Sequence, residues 1–203
     1  SGSFAESHDY GYDGAAVEIY NGDRNVISYN VTADNETFTE LGHADGETSD
    51  DNVFAYNSVT SAQKRAAFLV TRGPDIPLGP VKGTIAVNNS VNLPNDSQGW
   101  VCHDGCAPDI LKLRNNIIKV TGQTGFEDGE GADENNGVYS GGASNFELGD
   151  SSVEADPLFT SDTDLHLTAQ SPAIGLGEAA GYDEDLDGNP VGDNPDAGCY
   201  QST

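Results

Sequence analysis

Two glutamates, Glu18 and Glu40, are the residues of this sequence best spaced to do chemistry together. They lie 22 residues apart, and in a chain whose successive turns stack on one another they would approach to about 5 Å between backbones. Carboxylates that close repel, so either one of them holds a proton or a cation such as calcium lies between them. The pair predicts either the two carboxyl groups of a glycoside hydrolase or a calcium site that neutralises a uronic acid for β-elimination.

Basic residues are scarce, which gives their positions meaning. Against 34 acidic residues there are 8 lysines and arginines, and the net charge is −26. Three of the eight, Lys64, Arg65 and Arg72, fall within nine residues. We expect an anionic sugar to dock there, because arginine pairs with a carboxylate at two points. The same acidity makes nucleic acids and anionic membranes poor partners.

Aromatic side chains near these residues are candidate contacts for sugar rings. Tyr20, Trp100 and Tyr139 lie in or beside the predicted strands, and an aromatic ring can stack on the apolar face of a pyranose. The alternative for Trp100 is a packing anchor beside a disulfide loop.

The elements that position these residues follow from a repeated pattern. Four segments place small or apolar residues at alternate positions and an asparagine at the fifth: Val26 to Thr32, Val53 to Val59, Ile85 to Val91 and Leu111 to Ile117. The asparagines, at 30, 57, 89 and 115, are separated by 27, 32 and 26 residues. Such periods are typical of a solenoid, and stacked asparagines can bond to one another along the stack. The pattern predicts a parallel β-helix in which these residues point inward and the residues between them, Phe54, Tyr56, Ala86, Lys112 and Arg114, point outward.

A second column of strands precedes the asparagine segments. Here the predicted inward residues are Ile19, Leu41, Val70 and Val101, and the predicted outward residues are Glu18, Glu40, Leu69 and Trp100. The loops that follow differ in length, from residues 21–24 to 42–51 and the Pro- and Gly-rich 72–83. Uneven loops on one side of a repeat array indicate the binding side.

Cysteine usage and sequons favour a secreted or cell-surface protein. Cys102 and Cys106 are expected to form a small disulfide loop, which leaves Cys199 either unpaired or paired with a segment outside this sequence. Four sequons begin at Asn30, Asn35, Asn88 and Asn95. No apolar run is long enough to cross a membrane, so membrane insertion is not expected.

From about Phe146 the sequence changes to an ordered series of short segments: Asp156-Pro-Leu-Phe, Asp164-Leu-His-Leu, Ser171-Pro-Ala-Ile, Asp185-Leu-Asp-Gly-Asn-Pro and Asp196-Ala-Gly-Cys-Tyr. This series resembles the closing segment of secreted right-handed parallel β-helix proteins of the pectate-lyase-like superfamily. The resemblance implies an all-β, right-handed parallel β-helix with an irregular C-terminal capping tail. Rungs would occupy residues 1–145, with others preceding Ser1, and the last rung and cap would occupy 146–203.

The resemblance also implies a site and a reaction. Enzymes of the superfamily bind polysaccharides along one sheet, using acidic residues with calcium and a Lys, Arg, His or Tyr as base. By position, Lys64 and Arg72 are the candidate bases or charge clamps, with His43, His103 and Tyr139 as alternatives. Asp183, Asp185 and Asp187 have the oxygen spacing of a structural calcium loop, although the twelfth position is Asn194 rather than glutamate.

The sequence therefore predicts a secreted carbohydrate-active protein that acts on a uronic-acid-containing polysaccharide. A lyase is favoured, because scarce cations and long loops gather near one sheet. A hydrolase or an epimerase is a neighbouring alternative. The other class is a non-catalytic scaffold, filament or glycan-binding adhesin.

Overall fold

The structure, a computed structural model, describes residues 14–202 and the backbone of two short strands before them. These two strands, β1 (Glu6–Ser7) and β2 (Gly11–Tyr12), pair antiparallel. Everything else that is strand in the described part of the chain belongs to three sheets, each of them entirely parallel. The described residues form no helix, and hence none able to cross a membrane. The prediction of an all-β chain is confirmed.

From the third strand to the seventeenth, each sheet collects every third strand along the chain, and the eighteenth then joins the same sheet as the seventeenth. Sheet 1 contains β3 (Ala15–Tyr20), β6 (Thr37–Gly42), β9 (Ala67–Arg72), β12 (Gln98–Cys106) and β15 (Gly125–Gly129). Sheet 2 contains β4 (Val26–Ser28), β7 (Val53–Ala55), β10 (Thr84–Val87), β13 (Leu111–Arg114) and β16 (Asp133–Asn135). Sheet 3 contains β5 (Val31–Ala33), β8 (Ser58–Thr60), β11 (Ser90–Leu93), β14 (Ile117–Val120), β17 (Val138–Ser140) and β18 (Val153–Glu154).

This order is that of a parallel β-solenoid, because the chain passes through sheets 1, 2 and 3 in turn and then begins the next rung. Five such rungs can be followed within residues 14–140. Right-handed winding and the division at residue 145 stay predictions.

A ladder of asparagine side chains runs through the corner between sheets 2 and 3, as the repeat predicts. The Nδ2 of Asn30 donates to Oδ1 of Asn57, that of Asn57 to Asn89 and that of Asn89 to Asn116, each at 2.9 Å. The backbone N–H of each donor residue bonds to the same oxygen at 3.0–3.1 Å. Asn57, Asn89 and Asn116 lie inside the solenoid, where these bonds satisfy amides that would otherwise be costly to bury.

The residue before each ladder position turns the corner. Tyr29, Tyr56, Asn88 and Asn115 all have positive φ, between 50° and 58°, and so does Asn136 in the fifth rung, where Gly137 follows in place of a ladder asparagine. The left-handed conformation bends the chain sharply from sheet 2 into sheet 3, and asparagine tolerates it better than most residues. The third and fourth asparagine segments use asparagine at both positions.

The predicted facing of sheet 2 is wrong for the first three asparagine segments and right for the fourth. Phe54 and Ala86 point into the core, whereas Val26 lies outside and is 64% exposed. In the fourth segment Leu111 and Leu113 point inward, as predicted. The left-handed residue at the corner interrupts the period-two alternation, so counting back by twos from the asparagine reverses the sheet. Beyond the corner the alternation resumes, and Val59 and Val91 point inward as predicted.

The fourth asparagine segment is also shifted by one residue. Ile85 pairs with Lys112, and it is Asn116 that joins the ladder. Asn115, predicted to be the ladder residue, occupies the left-handed corner and donates from Nδ2 to Oδ1 of Asn88 at 2.9 Å. Arg114 therefore lies just before the corner, on the outer face of sheet 2.

The C-terminal tail lies along the outer faces of sheets 2 and 3. Corner residues of successive rungs bind it: Tyr29 donates to the Glu184 carbonyl, Asn88 to Asp196 and Gly198, Asn115 to Glu178, and Asn136 to Leu176. The tail buries Ala55, Tyr56 and Val87 against Leu165 and Cys199 on one sheet, and Ile117 and Val138 against Ala173 and Ala197 on the other. These contacts are with the sides of the rungs, so closure of the solenoid end by the tail stays a prediction.

Two of the four sequon asparagines, Asn35 and Asn88, are buried. The Asn30 amide bonds to Asn57 in the ladder, and Asn95 is exposed. Glycosylation at these positions stays a prediction.

The ladder gives a first test. We expect Asn89→Ala to lower the free energy of unfolding by about 3 kcal/mol or more, because the buried backbone N–H and one Nδ2 hydrogen of Asn57 lose their acceptor, and Asn116 and Phe54 each lose a donor. Denaturant unfolding measures it. Asn95→Ala is the matched control: Asn95 is exposed and makes one bond, to the Ala62 carbonyl, and its loss should cost below about 1 kcal/mol. Equal losses would contradict a stabilising ladder.

Candidate functional site on sheet 1

The outer face of sheet 1 brings together four of the polar residues singled out above: Glu18, Glu40, Arg72 and His103. Glu18 and Glu40 are paired in register on β3 and β6, as predicted. The same column continues through Val70, Val101 and Phe126 on the next three strands. One outward column therefore changes from carboxylates to apolar side chains along the axis of the solenoid.

The predicted facing is wrong for β9 and β12. Leu69 and Trp100 point into the core and are fully buried, while Val70 and Val101 are half-buried on the outside. Leucine and tryptophan have more apolar surface than valine, so this register removes more of it from water. The glutamates stay outside because a buried carboxylate without a partner is far more costly.

Arg72, the last residue of β9, is bound across the sheet to Glu40. Its Nη2 donates to Oε1 of Glu40 and its Nη1 to the Leu41 carbonyl. The arginine side chain is only 11% exposed, against 41% for the glutamate. Gly42 lies between Arg72 and Tyr20, and a Cβ there would be 3.4 Å from Nη1 of Arg72.

His103 is the neighbour of Arg72 in register on β12. Its Nδ1 contacts Oδ2 of Asp104, and the ring is 28% exposed. The Cys102–Cys106 disulfide, predicted from the spacing and present in the structure, closes this segment into a loop. His103 and Arg72 are therefore neighbours in register, and the side chain of each is bound to a carboxylate.

Asp128, on the next rung, holds the disulfide loop in place. Its carboxylate accepts hydrogen bonds from the backbone of Gly105 at 2.8 Å and of Asp104 at 3.1 Å. The bond from Gly105 is the main reason that the pKa of Asp128 is lowered. The sequence pointed to Asp104 only through its place next to His103, and it gave no signal for Asp128, which reaches the loop only through the strand register.

The other candidate residues lie apart from this group. Tyr20 is half-exposed at the edge of sheet 1, in register with Gly42. His43 is buried, with its ring nitrogens facing the carbonyls of Ala44 and Pro80. Lys64 and Arg65 are exposed before the start of β9, whereas Arg72 ends that strand, roughly 17 Å farther on. The predicted basic cluster thus does not converge.

Trp100 and Tyr139 are not at the surface. Both pack in the core against Phe146, at ring-centroid distances of 4.8 and 5.1 Å. Burial and the nearby charge of Glu134 raise the pKa of Tyr139. Trp100 is therefore a packing anchor, which was the alternative to sugar stacking. Neither ring can stack on a sugar bound to the outer face.

The predicted calcium ligands do not fit a cation well. Glu40 already binds the Arg72 guanidinium, which places a positive charge where calcium would lie. The carboxylate of Asp185 accepts four hydrogen bonds, from the backbones of Asp187, Asn189 and Gln201 and from the Asn189 amide. Calcium at that loop would require Asp185 to release these donors and Asp187 to give up its contact with Nε2 of His166, so both carboxylates as they stand bind protein donors rather than a cation. Within the described residues no three His, Cys, Asp or Glu side chains group as metal ligands do.

A pocket of about 410 Å³ opens beyond the ends of β9 and β12, beside the disulfide loop. Its lining includes Pro74, Pro80, Lys82, Asp109 and Ile110. Lys82 is half-exposed there, 3.5 Å from Asp109. The sequence indicated this side of the solenoid through loop length, without indicating Lys82.

No protein-family model matches this sequence, and no curated protein matches it significantly. Its all-β architecture and parallel sheets are compatible with the β-helix resemblance.

The position of Trp100, the one tryptophan of the chain, can be tested by fluorescence. We expect blue-shifted emission that a soluble quencher hardly affects, because the indole is fully buried. Adding an acidic polysaccharide should leave the spectrum unchanged. Red-shifted, readily quenched emission would place the indole outside and contradict the register of β12.

Proposed function

We propose that the outer face of sheet 1 binds a uronic-acid-containing polysaccharide and cleaves it by β-elimination, with Arg72 and His103 at the reacting sugar. The observation that supports this most is their adjacency in register on β9 and β12. The carboxylate of a uronic acid is bonded directly to C5, so the group that binds it and the base that removes the C5 proton must be neighbours. Adjacent strands, about 4.8 Å apart, provide that spacing.

In the proposed reaction His103 takes the C5 proton at Nε2. Asp104, bound to Nδ1, holds the ring orientation and stabilises the imidazolium that results. Arg72 donates to the uronate carboxylate, where negative charge develops when the proton leaves. The electron pair forms the C4=C5 double bond, the bond from C4 to the glycosidic oxygen breaks, and that oxygen takes a proton from water.

Arg72 is held ready for this role by the sheet itself. Glu40 and Leu41 use one donor on each of two guanidinium nitrogens, and further N–H groups remain. Because Glu40 is bound to Arg72, we assign it to positioning the guanidinium rather than to catalysis. The proposed steps use no calcium.

A glycoside hydrolase is the second candidate, favoured by the pairing of Glu18 with Glu40 on adjacent strands. Retaining glycosidases place their two carboxyl groups about 5 Å apart, close to the strand spacing. In that reaction Glu40, which is bound to Arg72, would be the nucleophile and Glu18 the acid.

The two reactions leave different products. The protein should be incubated with several polyuronates and with a neutral glucan, while ultraviolet absorbance reports the conjugated C4=C5 product and a separate assay counts new reducing ends. We expect absorbance with at least one polyuronate. His103→Gln and Arg72→Gln should lower the rate by about 100-fold or more. Lys112→Gln, on the outer face of sheet 2, is the matched control and should have no effect.

The outcomes separate the candidates. New reducing ends without absorbance would replace the lyase by the hydrolase, and Glu18→Gln should then abolish activity. No cleavage of any polymer would contradict both and favour the non-catalytic scaffold.

Salt should affect this activity in an unusual direction. With a net charge of −26 the protein repels a polyanion at long range, although Arg72 attracts it locally. Screening weakens the long-range repulsion more than the short contact. We therefore expect kcat/KM on a polyuronate to rise between low and moderate ionic strength. A steady fall would show that attraction dominates.

A further inference from the structure

His166, in the tail, lies between carboxylates from two separate segments. Its Nδ1 is 2.5 Å from Oδ1 of Asp164, and its Nε2 is 2.8 Å from Oδ2 of Asp187. A carboxylate oxygen is an acceptor, and a neutral imidazole has only one N–H. Both contacts are hydrogen bonds only when the ring is the imidazolium ion. This geometry is therefore that of the protonated histidine.

The ring joins parts of the tail that are distant in sequence. Asp164 lies beside it on its own segment, Asp187 belongs to the turn organised by Asp185, and Tyr200 stacks on it at a centroid distance of 3.9 Å. These two carboxylates and the Tyr200 phenol are the titratable groups that face it. Leu165, next in the chain, is buried in the apolar cluster between the tail and sheet 2.

The pKa values of these groups agree with the geometry. Partial burial lowers the pKa of His166, but the hydrogen bonds to Asp187 and Asp164 and the charges of both outweigh it, so that the pKa is raised. The hydrogen bond from His166 is the main cause of the lowered pKa of Asp164. A raised histidine pKa contributes stability in full below the ordinary value of about 6.5, and that contribution is lost as the pH rises through the folded-state value.

We propose that His166 is a pH-sensitive latch, which as the imidazolium ion ties Asp164 to Asp187 and holds the tail on sheet 2, and which loosens the tail when it loses its proton. Deprotonation removes the charge and one of the two N–H donors, so one carboxylate loses its partner. The apolar cluster beneath, with Tyr56, Val87 and Leu165, then becomes easier to open.

Cys199 provides a reporter for this opening. It is the cysteine left outside the disulfide, and it is fully buried in the same cluster. Burial raises the pKa of its thiol to about 12. A soluble thiol reagent therefore reaches it only when the tail moves away.

The experiment measures the labelling rate of Cys199 from about pH 5.5 to about pH 9, on both sides of the ordinary histidine pKa. The protection factor at each pH is the labelling rate of the denatured, disulfide-intact protein divided by that of the folded protein. This ratio cancels the effect of pH on the intrinsic reactivity of the thiol. We expect the resulting protection factor to be constant at the acid end. At higher pH it should fall, because the latch has lost its charge. The fall should be only roughly threefold to tenfold, because His166 is partly exposed to solvent.

Variants decide the cause of the change. His166→Gln should give low protection that does not change with pH, and His103→Gln, which removes an imidazole from sheet 1, should retain the wild-type profile. Protection that is independent of pH in the wild type, or that falls equally in His166→Gln, would overturn the proposal. If His166→Gln does not fold, an NMR titration of the wild-type ring and of Asp187→Asn replaces it. A wild-type midpoint at or below about 6.5, or one unchanged by Asp187→Asn, would equally overturn it.

Discussion

The left-handed corner between sheets 2 and 3 is the constraint on which the remaining structure depends. One residue per rung turns the chain there, and the next residue in four of the five rungs is an asparagine of the ladder. Because each ladder amide binds both the side chain and the backbone of its neighbour, stacking fixes the register of successive rungs. That register then decides which side chains meet on sheet 1.

The same corners also bind the tail. Their side chains project outward, and those of Tyr29, Asn88, Asn115 and Asn136 donate to tail carbonyls. The tail also makes backbone hydrogen bonds within itself, for example from Thr168 to Leu158 and from Val191 to Asp183. The corner bonds fix its position on the solenoid, where it covers apolar residues on the outer faces of sheets 2 and 3 that would otherwise contact water.

The sequence predicted the features that repeat and missed those that depend on one corner. The asparagine ladder, the pairing of Glu18 with Glu40 and the Cys102–Cys106 disulfide all follow from spacing, and the structure contains them. The inward facing of Phe54 and the corner position of Asn115 did not follow from spacing. The left-handed corner residue shifts the inward–outward alternation by one position, and no particular residue type marks that residue in the sequence. At the site, Arg72 lies near its predicted place, but Lys64 does not. An extended strand separates the two residues, so although they are close in sequence they lie far apart in space.

The path of the tail makes the order of synthesis matter. Rungs form from neighbours in sequence and can assemble progressively as the chain emerges, whereas the bond from Tyr29 to Glu184 spans 155 residues and joins the first described rung to a segment made much later. Until the tail arrives, the outer faces of sheets 2 and 3 present bare apolar side chains, which makes the nascent chain prone to association. Docking of the tail must therefore wait until residue 184 and those after it have left the ribosome. A protein truncated before residue 184 would keep its ladder but would lose the part of the covering that Ala197 and Cys199 provide.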